Sequence, residues 1–174
     1  QPHYLKSLSY YLWVAAPMAL LDSLPAKVSI PAGRFATLLL GVAVTALTYH
    51  TSLELFPKRR VLSMGAAIAT GLNHHLSGIM TGINTDAGAT FAVTLLMWSL
   101  ARIHRRGYAL NRVALVMMSL CLCFLAKTTA WVGLPVAAIW FWVKLPSQWR
   151  WRSGIGMMLC VVVLLIWKQP VRWS

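Results

Sequence analysis

Ala126-Lys127-Thr128-Thr129 breaks an apolar region that otherwise runs without interruption from Val113 to Val143. Read as one straight helix, that region would be roughly 46 Å long at 1.5 Å per residue. A bilayer core is only about 30 Å thick. Split at Lys127, it becomes two short helices, the first of about 14 residues. Charge distribution decides between the two readings. With the split, the basic segments 57–60, 102–112 and 144–152 all fall on one side of a membrane, while the turns holding Asp86 and Lys127 face the other. Without it, the last basic segment moves to the wrong side, so the preference for positive loops on the cytoplasmic side selects the split.

Composition agrees with a membrane chain. It is 59% hydrophobic and 11% charged, with a mean hydropathy of +0.66. The net charge of +13 lies in short loops between apolar runs rather than in a basic stripe with interleaved aromatics, so nucleic acid is not the expected partner. Nine tryptophans, several near the ends of runs, fit an interfacial belt. Cys121, Cys123 and Cys160 sit inside apolar segments without metal-site spacing and read as small core residues. The chain begins at Gln1 with neither an initiator Met nor a leader-like segment, and is read as part of a longer polypeptide.

Outward from the Lys127 turn, the expected order is an aromatic interfacial helix with Pro17 and a loop over 22–31, together residues 1–31. Transmembrane helices follow through 32–174 in a single domain. About six spans are expected, over 35–55, 61–83, 87–101, 113–126, 130–143 and 155–167. The fold class is all-α, a multi-pass helical bundle. Glu54 lies one turn from Lys58, which predicts a local surface pair. Within 61–83, Thr70, His74, Ser77, Thr81 and Thr85 recur at helical steps and share one face leading to Asp86. Such a face either packs helices closely or lines a wet cavity; the imidazoles of His74 and His75 favour the cavity.

Asp86 is one of three acids in the chain. A carboxylate at membrane depth needs a partner or water. Asn84 and Asp86 also suit the cap of the next helix, and the two roles are compatible. Lys127 either snorkels to the interface or sits in a recess lined by protein. Together with Arg34 and the His74/His75 pair, these residues could serve an anionic, lipid-borne substrate. The cations would hold a phosphate, and Asp86 would bind a divalent metal ion or a sugar hydroxyl. A transporter or flippase for a lipid-linked or anionic solute would show similar features.

Four stretches resemble a known family in the order it requires. Gln1-Pro2-His3-Tyr4 before an aromatic helix is similar to the "(H/Q)PPLYY" motif of membrane glycosyltransferases with the GT-C fold, with His3 replacing the second Pro. Arg34-Phe35-Ala36-Thr37-Leu38-Leu39-Leu40-Gly41 resembles their "R-l-x-S-x-l-x-G" helix start, and Asn84-Thr85-Asp86-Ala87 their "(N/S)-x-D-a/l" turn. Ala126-Lys127-Thr128-Thr129 is similar to the "s/a-K-x-t" turn closing a short helix. The nearest groups are the polyprenyl-phosphate-dependent enzymes, protein mannosyltransferase-like and aminoarabinose transferase-like. The resemblance implies transfer of a hexosyl or pentosyl group from a polyprenyl-phosphate carrier to an acceptor on the outer face of, most simply, a bacterial inner membrane. It implies a catalytic acid upstream of Gln1, in the remainder of the polypeptide. Asp86 would be the second acid, positioning substrate or metal, with Asn84 in the same turn. Lys127 and Arg34 would meet the carrier phosphate.

Overall fold

The computed structural model describes residues 8–20 and 26–144. The fold is all-helical: α1 (Leu8–Leu20), α2 (Ala26–Leu55), α3 (Arg60–Gly71), α4 (His74–Thr81), α5 (Thr85–Arg106), α6 (Leu110–Ala126) and α7 (Gly133–Lys144), with a 3-10 helix at Thr128–Val132. No strand occurs among the described residues. Contacts divide the chain into two compact units, Gln1–Gly133 and Leu134–Ser174. The first unit holds the expected site; of the second, the described part is helix α7.

The first unit is built on α2 and α5, which lie side by side and run parallel. At one end Gly33 of α2 packs beside Ile83, just before α5. At the other, Glu54 of α2 meets Arg105 and Arg106 of α5. The buried face of α2 carries Ala36, Thr37, Leu40 and Val44, and its outer face carries Phe35, Leu38, Leu39 and Val42. Both sets recur at three- and four-residue steps, as one helix side requires. Helix α6 turns back along α5 after Gly107, whose φ of +75° ends α5 in a conformation that glycine adopts without a Cβ penalty. Its buried residues, Val116, Ser119, Leu120, Cys123 and Phe124, again form one stripe. Helix α1 packs on α2, α5 and α6, buries Val14, and donates the Trp13 indole N–H to the carbonyl of Ala36 at 3.0 Å.

The helical stretch Ile30–Leu55 is long and apolar enough to cross a membrane; α6 is apolar but shorter. Large apolar side chains face outward on α2, α3 and α6, including Phe35, Val42, Val61, Ile68 and Met118.

Several expectations are corrected. The split at Lys127 is observed, and α6 is 17 residues rather than about 14, because it starts earlier, at Leu110. The span expected over 61–83 is two helices. Asn73 takes an extended conformation and its side-chain oxygen accepts from the Leu76 N–H at 3.1 Å, so it caps a new helix instead of continuing the old one. The single polar face through Thr70, His74, Ser77, Thr81 and Thr85 is therefore interrupted. The loop expected over 22–31 is shorter, since α2 begins at Ala26 and includes Pro31. That proline stands past the first turn and removes the backbone bond its N–H would make to the Lys27 carbonyl. Glu54 does not pair with Lys58: α2 ends at Leu55 and the chain turns, which destroys the helical spacing between them. Cys123 is buried as expected, whereas Cys121 is exposed. The motif at 1–4, the basic segment 145–152, the run 155–167 and Cys160 lie outside the described residues.

Candidate functional site: an ion pair at the α5 and α6 ends

Asp86 sits in the first turn of α5. Asn84 is the N-cap, in extended conformation, and its side-chain oxygen accepts from the Asp86 N–H at 3.0 Å. One turn on, the Thr90 hydroxyl donates to the Asp86 carbonyl at 2.8 Å. The cap and the site therefore share the same residues. A carboxylate in this position also lies at the positive end of the helix dipole.

Lys127 follows the last residue of α6. Its backbone is extended, which takes the side chain off the helix line, and its carbonyl accepts from the Ala130 N–H at 2.9 Å to open the 3-10 turn. That turn is held by Trp131, whose ring stacks on Phe124 at 5.3 Å between centroids and whose indole N–H donates to the Phe124 carbonyl. The turn returns to the bundle at Gly133, where an added Cβ would stand 2.8 Å from Leu96 Cδ2 and 3.4 Å from Cys123 Sγ. A cation at the end of α6 lies at the negative end of that dipole.

The two meet. Lys127 Nζ donates to Asp86 Oδ1 at 2.5 Å, joining helix ends 41 positions apart in sequence. The side chains are 33% and 37% exposed, so the pair is open on one side. At the same end of the bundle lies an apolar crevice of about 120 Å³ between α1, α2, α5 and α6, lined by Trp13, Leu40, Gly88, Phe91, Leu122 and Ala126. Gly88 is two residues from the carboxylate and Ala126 one from the ammonium. A charged head beside an apolar slot suits an amphiphile.

Of the other expected residues, Arg34 belongs to this end, since its neighbour Gly33 contacts Ile83 beside the Asn84 cap. Arg34 itself is exposed and forms no ion pair with a described residue. His74 and His75 are not brought to the site. They lie in the first turn of α4, about 10 Å of helix rise from its other end, which leads to the Asn84 cap. Both are exposed. Among the described residues no group of three His, Cys, Asp or Glu side chains could hold a metal ion. Asp86 is the one carboxylate at this end among the described residues.

Sequence reasoning missed the Glu54 cluster and the crevice. Glu54 is 7% exposed and bonds Arg105 Nη1 at 3.0 Å and Arg106 Nη2 at 2.7 Å. The signal available was an acid near the end of one apolar helix and a basic cluster at the end of another. The crevice combines residues from four helices, and no local pattern marks it. Comparison with protein-family models, with curated proteins and with solved structures finds no match.

Proposed function

We propose that this chain is the multi-pass membrane region of a glycosyltransferase of the GT-C type, taking a sugar from a polyprenyl-phosphate carrier to an acceptor at the Asp86 face. The observation that carries the reading is the Lys127–Asp86 pair at the end of the bundle that also holds an apolar crevice. It supplies the three surfaces such a donor requires: a cation for phosphate, a carboxylate for sugar hydroxyls, and an apolar slot for the lipid.

Placement in a bilayer is supported by the apolar stretch Ile30–Leu55, which is long enough to cross, and by the length of α5, which runs parallel to it. Asp86 and Arg105 are separated by about 28 Å of helix rise, close to the hydrocarbon thickness of about 30 Å. The ion pairs at its two ends then sit at the two interfaces, with outward-facing apolar side chains between. Lys58, Arg59, Arg60, Arg105 and Arg106 gather at the Glu54 end, which is assigned to the cytoplasm.

In this scheme the Lys127 ammonium, a compact charge with three donors, exchanges Asp86 for the carrier phosphate. That frees the carboxylate to accept hydrogen bonds from the sugar. Arg34 adds charge at the same end, and the residue that activates the acceptor is supplied by the remainder of the polypeptide.

The test is Asp86→Asn in the full-length protein. Transfer of labelled sugar should be lost with expression and membrane insertion unchanged, and Lys127→Ala should raise KM for the lipid donor more than it lowers kcat. Undiminished transfer by Asp86→Asn would sink the reading. Vesicles that move a labelled lipid-linked sugar across the bilayer without transferring it would replace it with a flippase.

A further inference from the structure

We infer that the α3 face of the molecule holds one anionic phospholipid, with its headgroup at the Lys58-Arg59-Arg60 turn and an acyl chain along Val61, Met64, Ile68 and Leu72. This rests on the membrane placement proposed above but not on the transferase assignment, because it concerns the opposite end of the molecule from Asp86.

The cations at the Glu54 end are not equivalent. Arg105 and Arg106 share the Glu54 carboxylate. Arg112 donates from Nη1 to the carbonyls of Arg106 and Gly107. Lys58, Arg59 and Arg60 are exposed and have no acidic partner among the described residues. The recess they line with Pro57, Val61 and Leu62 is open and about 720 Å³ in volume. Three uncompensated cations at a membrane surface select an anionic headgroup.

The apolar part has a matching length. Val61, Met64, Ile68 and Leu72 recur at helical steps and are 84%, 55%, 56% and 78% exposed. They begin beside the basic turn and stop where α3 ends at Gly71 and Asn73 starts the next helix. The column is about 16 Å long by helix rise. One leaflet of a core about 30 Å thick is close to that length. Head and chain of one lipid therefore find their complements on one helix in the correct order. A soluble anion would use the cations and leave the column unoccupied.

The experiment is native mass spectrometry of the full chain released from nanodiscs containing equal parts phosphatidylglycerol and phosphatidylcholine. The unaltered protein should retain phosphatidylglycerol in preference, as a one-lipid adduct. Lys58→Gln/Arg59→Gln/Arg60→Gln should reduce that preference by roughly tenfold or more, while Arg59→Lys should keep it. Equal retention of the two lipids by the unaltered protein would overturn the inference without recourse to any variant. So would a preference that survives in the triple variant, or one abolished by millimolar inorganic phosphate. Sugar transfer is not read in this assay, so failure here and failure of Asp86→Asn to lose activity are separate results.

Discussion

The two carboxylates in the described part of the chain are both paired, and their surroundings make them unequal. Glu54 is nearly enclosed and accepts from two guanidinium groups, whereas Asp86 is more than a third exposed and accepts from one ammonium. Exposed ion pairs contribute between zero and about 1 kcal/mol. Hydrogen bonds to a buried charged group contribute about 1.5–3 kcal/mol each. Glu54→Gln should therefore lower thermal stability in detergent by about 2 kcal/mol, and Asp86→Asn by no more than about 1 kcal/mol. Equal shifts in melting temperature, or the reverse order, would contradict this difference in environment. The partial exposure of Asp86 is also what the proposed function requires of it, since a substrate has to reach the carboxylate. Asp86 and Lys127 were legible as a pair of charges on one face, because apolar run lengths and charge placement constrain which turns share a side. The partners of Glu54 were not legible. Lys58 was the nearer candidate by spacing, and only the end of α2 at Leu55 removes it.

Among the elements, α2, α5 and α6 were readable from their apolar runs and the break between α3 and α4 was not. Hydropathy averages over Leu72 and Asn73, while the break depends on one side-chain oxygen reaching one backbone N–H. Helix α4 stays on the bundle through Met80, which is 3% exposed and lies against Gly41 of α2. A Cβ built at Gly41 would stand 3.0 Å from Met80 Cγ and 3.1 Å from its Cβ. Small residues at such positions allow helices to approach closely in a membrane. Gly41→Val should cost about 1–3 kcal/mol through overpacking. Met80→Ala should offset part of that cost, so that the double variant is more stable than the sum of the single changes predicts. Strict additivity in thermal unfolding would show that these two residues are not in contact.

For the whole molecule, α-helical class and the grouping of charges were accessible from composition and periodicity. The crevice, and the separation of His74 and His75 from Asp86, required the packing of several helices and left no local trace. The proposed orientation predicts sidedness. In a background lacking Cys121, Cys123 and Cys160, Asn84→Cys should react with a membrane-impermeant maleimide on intact cells. Arg59→Cys should react only after permeabilisation. Labelling of both from outside would remove the bilayer placement.

The discontinuity at Leu72–Asn73 also has a mechanical consequence. A jointed rod absorbs a push that a continuous rod transmits. Torque applied to the basic turn before α3 is not passed on by continuous helix, whereas α5 is unbroken and anchored by an ion pair at each end. Communication between the two ends of the bundle would run along that strut, and the jointed α3–α4 pair beside it would be free to adjust on its own.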